Sequence, residues 1–267
     1  MPELPEVETV KETLKGMIVG LKIDDCIVHY ERIIRTPDVN DFKKSVIGQK
    51  FNDILRRGKY LIFVLDDFYM ISHLRMEGKF YFKDDLELSK HEHVVFRLGS
   101  KYLTYHDVRK FGTLDLWPIS NCLEDFFDLG PEPFSSEFSF EYLKSKKSKK
   151  NIKAFLLDQR IVAGIGNIYV NEILFLSKVL PTRTFSSLSD EELKDIVVNT
   201  KKVLKRAVEL GGTTIRSYTS SLGVTGRFQN ELHVHSKQGE KCPVCGEKIQ
   251  KEFVAGRGTY FCKNCQR

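Results

Sequence analysis

Met1-Pro2-Glu3-Leu4-Pro5-Glu6-Val7-Glu8-Thr9-Val10 opens the chain. Leu4, Val7, Val10 and Leu14 make an apolar stripe at helical spacing, and Pro5 suits a first turn, where its missing N–H is not needed. Glu3, Glu6 and Glu8 sit where the positive end of a helix dipole favours carboxylates. A first helix is therefore expected. The same residues also carry chemistry. A small second residue normally permits removal of the initiator Met, which would expose Pro2 as a secondary amine. An α-amino group titrates at about 7.7–8.0, so near neutral pH part of it is a nucleophile able to form a Schiff base. Glu3 beside it is placed to carry protons. The two readings are compatible, because a buried helix would hold the amine in place.

The 267 residues leave room for two domains and a small third. No run of eighteen apolar residues and no leading signal segment occurs, so a soluble, cytoplasmic protein with no membrane partner is expected. The net charge of +6 is unevenly spread: residues 1–140 carry −5 and residues 141–267 carry +11. A basic second half fits a polyanionic partner, with a solvated basic surface as the alternative. Cys26 and Cys122 stand alone and read as buried small hydrophobes.

From about Lys22 to Trp117 the pattern is β-rich. Tyr60–Leu65, Tyr69–Ser72, Lys79–Phe82 and His93–Leu98 are strand candidates, and Gly99-Ser100 suits a two-residue hairpin turn. Short strands at close spacing imply a sandwich or barrel. A linker follows at Leu129-Gly130-Pro131-Glu132-Pro133, then the basic run from Lys144 to Lys150, which reads first as a solvated segment. The next region is helical. Ile152, Phe155, Leu156 and Ile161 fit one helix, a Gly turn spans Ala163–Gly166, and Tyr169–Phe175 resumes helical spacing. Ser189 with Glu192 forms a capping box for a further helix that stops at Gly211-Gly212. Thr213–Gly226 reads as a loop, and Glu231–His235 alternates like a strand.

Near the carboxyl end, Cys242-Pro-Val-Cys245 and Cys262-Lys-Asn-Cys265 are separated by sixteen residues, a spacing suited to a four-cysteine zinc ribbon. Four thiolates saturate tetrahedral Zn2+ and leave no open position, so one structural zinc ion is expected, and His233 and His235 would over-fill the site. Disulfides are the alternative for these cysteines, disfavoured in a reducing compartment. Between the pairs, Val254–Phe261 reads as a hairpin whose Arg257, flanked by Gly256 and Gly258, has the fork geometry for a phosphate; in many ribbons such an Arg is surface charge only.

Pro2-Glu3-Leu4-Pro5-Glu6-Val7-Glu8-Thr9-Val10 resembles the amino terminus of the formamidopyrimidine-DNA glycosylases. Asn151–Arg160 with Gly164–Glu172 is similar to that family's helix–two-turn–helix, and Arg57-Gly58-Lys59, Ser72–Gly78 and Arg109-Lys110-Phe111-Gly112 match further segments. The resemblance spans the whole chain. It implies an α+β, multidomain fold: an N-terminal β-sandwich flanked by helices over residues 1–134, a helical DNA-binding domain with helix–two-turn–helix over 135–230, and a zinc ribbon hairpin over 231–267, packed on the helical domain.

The resemblance also implies roles. Pro2 is the nucleophile, Glu3 the proton shuttle, Lys59 the group that orients the sugar-phosphate, and Arg257 a phosphate clamp. His73, Lys153 and Asn167 contact DNA; Met76, Arg109 and Phe111 fill the gap left by a flipped nucleotide. Glu6, Glu77 and Tyr218 line the lesion pocket. Departures from the family pattern are Gly223-Val-Thr-Gly226 for the frequent Gly-Lys-Pro-Gly, His235-Ser236 for Tyr-Gly, and Val108 and Lys110 for Pro and Arg. The implied function is base-excision repair by a monomer. It would remove oxidised purines, 8-oxoguanine and formamidopyrimidines, from double-stranded DNA and cut abasic sites by β,δ-elimination. Two alternatives are a sister glycosylase for oxidised pyrimidines and a catalytically inactive zinc-ribbon DNA-binding protein.

Overall fold

The computed structural model describes residues 1–87, 89–213 and 226–267. The chain forms two compact units, one of Met1–Phe127 joined by the described part of Gly211–Gly226, the other of Asp128–Leu210 with Arg227–Arg267.

In the first unit, α1 (Leu4–Ile18) has Glu3 as its N-cap and Pro5 in the first turn. It buries Leu4, Val7, Val10, Leu14 and Ile18, the apolar stripe of the sequence. The strands are β1 (Asp25–Val28), β2 (Ile34–Thr36), β3 (Asp53–Arg57), β4 (Tyr60–Val64), β5 (Phe68–His73), β6 (Lys79–Lys83), β7 (Glu92–Leu98), β8 (Lys101–His106) and β9 (Thr113–Pro118), with α2 (Val39–Val46) between β2 and β3. They make a four-stranded sheet in the order β1-β7-β8-β6 and a five-stranded sheet in the order β2-β9-β5-β4-β3. Their inner faces share one core with α1 and α2. A chain of edge-to-face rings crosses that core: Phe51 to Phe63 at 5.8 Å, Phe63 to Phe80 at 5.1 Å, and Phe80 to Tyr105 at 5.1 Å. The turn at Gly99-Ser100 joins β7 to β8, whose residues Leu98 and Lys101 pair. Cys26 is buried, but Cys122 is exposed. It follows β9, where its carbonyl accepts the Trp117 indole N–H at 3.1 Å, so its place is set by its backbone and not by burial of its thiol.

The second unit holds α3 (Phe140–Lys144), α4 (Ile152–Leu157), α5 (Asn167–Leu176), α6 (Asp190–Glu209) and the hairpin of β10 (Gln250–Val254) and β11 (Arg257–Phe261). Ser189 and Glu192 close the expected capping box on α6, with bonds of 3.2 and 2.8 Å. Two sequence expectations are corrected. Helix α4 ends at Leu157, short of Ile161, because Asp158 turns the chain, bonding the N–H of Arg160 at 3.2 Å. The α4–α5 turn is then closed by Gln159, which donates to the carbonyls of Leu157 and Ile165 and accepts the N–H of Gly164 at 2.9 Å. Glu231–His235 is no strand: its N–H groups at His233, Val234 and His235 go to the buried Glu172 carboxylate at 2.8–3.0 Å rather than to a ladder. The ribbon docks on α5 through Phe175, Val234, Cys242, Ile249 and Cys262.

Candidate active site and metal centre

The amino terminus of α1 is buried: Pro2, Glu3 and Glu6 have almost no exposed surface. Burial pushes the amine at Met1 below its usual value; Glu3, Glu6 and Glu77 pull it upward, and Lys59 pushes it down. Four ionisable side chains therefore act on one point, the start of the chain. The Pro2 nitrogen lies in the peptide bond to Met1, so the expected nucleophile forms only once Met1 is cleaved. Burial disfavours a charged amine, and Pro2 is itself buried, so the nitrogen freed by loss of Met1 is favoured in the neutral form that attacks.

Each of these groups is held. Lys59 occupies the two-residue turn between β3 and β4, where Arg57 pairs with Tyr60, and is itself buried. Arg56 ties that turn to α1, donating to Gly58 O at 3.1 Å and to Glu8 at 2.6 Å. The Glu6 carboxylate takes the N–H of Glu3 at 2.8 Å with one oxygen, and the N–H and hydroxyl of Thr213 at 2.7 and 3.0 Å with the other. Gly212 (φ +76°) stands so close that an added Cβ would lie 2.6 Å from Glu6 Oε1. The resemblance implies a lesion-pocket role for Glu6; in the structure its oxygens join the start of α1 to Thr213. Tyr218, a further pocket candidate, lies outside the described residues, as do residues 214–225.

At the end of β5, His73 is buried against Tyr60, ring to ring at 4.6 Å. Burial, reinforced by Arg75, Lys59 and Arg35, drives its pKa down to about 3. The Arg75 N–H donates to Nδ1 at 3.0 Å, so the ring is neutral and carries its proton on Nε2, a donor suited to a phosphate oxygen. The following turn exposes Met76 (37%), and the turn after β8 exposes Phe111 (53%), with the Arg109 guanidinium 4.8 Å from the Phe111 ring centre. Large apolar side chains in turns, outside the core, fit a wedge role better than a packing role. Both turns meet at one phenol. A Cβ on Gly78 would lie 2.2 Å from the Tyr105 hydroxyl, and one on Gly112 1.6 Å from it.

In the second unit, the four cysteine sulfurs all lie within 4.8 Å of one another. Cys242–Cys265 and Cys245–Cys262 are 3.8 and 3.5 Å apart. A disulfide requires about 2.05 Å, whereas sulfurs about 2.3 Å from a tetrahedral zinc lie about 3.8 Å from each other. The donors fit one zinc ion with no open position. His233 and His235 are used elsewhere. His233 bonds Glu172 at 3.0 Å, and His235, its pKa lowered to about 4 by burial, bonds Asn171 at 2.8 Å.

Arg257 is exposed at the start of β11, beside the two-residue turn Ala255-Gly256. Asn167, at the first turn of α5, donates to Gly258 O at 3.0 Å, and its side-chain carbonyl has no hydrogen-bond partner. Lys153 departs from the phosphate contact expected of it. It is 0% exposed, and its ammonium donates to Thr259 Oγ1 at 2.6 Å, Asn171 Oδ1 at 3.1 Å and Gly258 O at 3.3 Å. Three donors meet three protein acceptors, so this lysine fastens the ribbon to the helices. Glu172 and Asn171, single polar residues in an apolar run, and Asp107, one charged residue in a polar turn, carry no spacing signal in the sequence; burial alone reveals them.

Models of known families match the chain at residues 1–114 (formamidopyrimidine-DNA glycosylase N-terminal domain), 129–219 (formamidopyrimidine-DNA glycosylase H2TH domain) and 239–267 (zinc finger found in FPG and IleRS). Formamidopyrimidine-DNA glycosylase of Bacillus licheniformis is 47% identical, with all of both chains covered, and that of Listeria monocytogenes is 44% identical with the same coverage. Among solved structures, the Lactococcus lactis Fpg in complex with DNA containing an abasic site superposes with a TM-score of 0.94 at 46% identity, covering 99% of each chain. A variant of that protein bound to Fapy-dG DNA gives 0.95 at 44% identity over both full chains. Relatives this similar over the full length, and family models on all three parts of the chain, lead to one conclusion: the chain belongs to the formamidopyrimidine-DNA glycosylase family.

Proposed function

We propose that this protein is a bifunctional DNA glycosylase and abasic-site lyase that removes 8-oxoguanine and formamidopyrimidines from duplex DNA in base-excision repair. The observation that carries the reading is the buried chain start: Pro2 is buried together with Glu3, Glu6 and Lys59, and Glu3, Glu6, Glu77 and Lys59 all act electrostatically on the terminus that loss of Met1 would pass to Pro2. After Met1 is removed, the Pro2 nitrogen attacks C1′ of the flipped nucleotide and the N-glycosidic bond breaks, its electron pair leaving with the base. The sugar ring opens to an iminium on Pro2. That positive charge acidifies the C2′ proton, which a base removes as the 3′ phosphate departs; δ-elimination then releases the 5′ phosphate. Glu3 moves protons in these steps, and Lys59 holds the sugar-phosphate.

Met76, Arg109 and Phe111 occupy the vacated stack, with His73, Asn167 and Arg257 on phosphates and Glu77 near the lesion. We divide the labour as catalysis in residues 1–134, DNA capture in 135–230 and the phosphate clamp in 231–267. No helix among the described residues is long and apolar enough to cross a membrane, and we place the enzyme in the cytoplasm, acting on the nucleoid. A duplex containing 8-oxoguanine should be cleaved and one containing thymine glycol much less. Preference for thymine glycol would assign the chain to the pyrimidine sister activity, and cleavage of neither would end the glycosylase reading.

A further inference from the structure

Asp107 follows β8 and is 0% exposed, a fully buried carboxylate. A charge so placed is stable only if its lone pairs are used. Its donors are backbone N–H groups of the next turn. Oδ1 takes the N–H of Arg109 at 3.0 Å, and Oδ2 takes those of Phe111 at 2.9 Å and Gly112 at 2.8 Å. The Asp107 main chain is fixed from behind, its N–H donating to His91 O at 3.0 Å and its carbonyl accepting from His93 Nε2 at 2.8 Å and from the Lys110 N–H at 3.3 Å. Lys110 takes a positive φ of 56° inside this ring of bonds, and its ammonium lies 4.4 Å from the Tyr30 ring centre. Gly112 has no room for a side chain against Tyr105.

We propose that Asp107 is a positioning residue of the reaction: its carboxylate winds the 108–112 turn so that Arg109 and Phe111 stand ready to enter the DNA stack before any DNA arrives. This rests on the glycosylase reading above. Two exposed side chains, one cationic and one aromatic, would otherwise sample many arrangements, and the cost of ordering them would fall on the flipping step. One carboxylate removes that cost. The role differs from general support of the sandwich, because all three side-chain bonds go to the turn and none to a strand.

The test compares wild type, Asp107→Asn, Phe111→Ala and the double variant on two substrates, a duplex containing 8-oxoguanine and a single strand containing an abasic site. The duplex requires a filled stack; the single strand has none to fill. Asp107→Asn keeps the shape but offers one acceptor oxygen where two are needed. It should lower duplex excision about tenfold or more, as misplacements on the ångström scale do, and leave borohydride trapping on the single strand within about twofold of wild type. The double variant should lose clearly less than the product of the two single losses, because both changes act on the same turn; losses that multiply fully would overturn the proposal. Unchanged duplex excision in Asp107→Asn overturns the proposal. So does an equal fall on both substrates, repeated with Asp107→Ser, which would make the carboxylate a fold residue only. If wild type itself neither excises nor traps, the glycosylase reading fails instead.

Discussion

At the scale of the residue, the site depends on groups whose charge or geometry is set by burial. His73 is the clearest case. A ring with its pKa near 3 is neutral throughout the working range. Nitrogen NMR of the imidazole should therefore show the Nε2–H tautomer unchanged from pH 8 to pH 5; a titration with a midpoint near the ordinary value of about 6.5 would contradict it. The sign for stability follows. Between the folded value and the unfolded value, the unfolded chain binds a proton that the folded chain refuses, so stability falls as pH drops through that window. From pH 7 to pH 5, His73 should cost about 2 kcal/mol of stability, a loss that a chemical denaturation series on His73→Gln should no longer show. Glu6 is the second case. Glu6→Gln replaces one acceptor oxygen by a donor facing other donors, at a cost of about 1–3 kcal/mol. Excision should fall, and wild-type turnover from that variant would remove Glu6 from the account.

At the scale of the element, α1, α6 and the zinc hairpin were legible in advance. Period, capping residues and cysteine spacing are local signals, each complete within a few residues. The strands β1, β2, β3, β8 and β9 and the helix α2 were not singled out, since short edge elements and strands with mixed patterns acquire identity only from their neighbours across the sheet. The same holds for Glu231–His235. Its alternation suggested a strand, but the partner that satisfies its backbone is a carboxylate on α5, distant in sequence. The element that best separates structural from DNA-contacting charge is the hairpin. Lys153 fastens it and Arg257 is exposed on it. Arg257→Ala should weaken binding and reduce the slope of log affinity against log salt by about one. Lys153→Met should weaken binding with the slope unchanged, and a reduced slope would return Lys153 to the phosphate contacts. Zinc removal by a chelator should unfold the hairpin and weaken DNA binding, and full affinity without the metal would contradict its structural role.

At the scale of the whole molecule, the sequence reading reached the family because motifs fall in all three parts of the chain. It could not reach the buried supports, Asp107, Glu172, Asn171 and the inward turn of Lys153. A residue's type does not reveal which way it faces, and these four matter through the direction they point. The basic surplus of the second half suits salt-sensitive attraction to duplex DNA, as the proposed order of capture before chemistry requires. The claim on which everything turns is that the bond to DNA is made by the nitrogen of Pro2. Borohydride reduction of the enzyme on an abasic duplex, followed by proteolysis and mass spectrometry of the cross-linked peptide, reads that directly. The sugar remnant should sit on a peptide beginning at Pro2, with Met1 gone. A remnant on Lys59, or on a chain that still carries Met1, would contradict it.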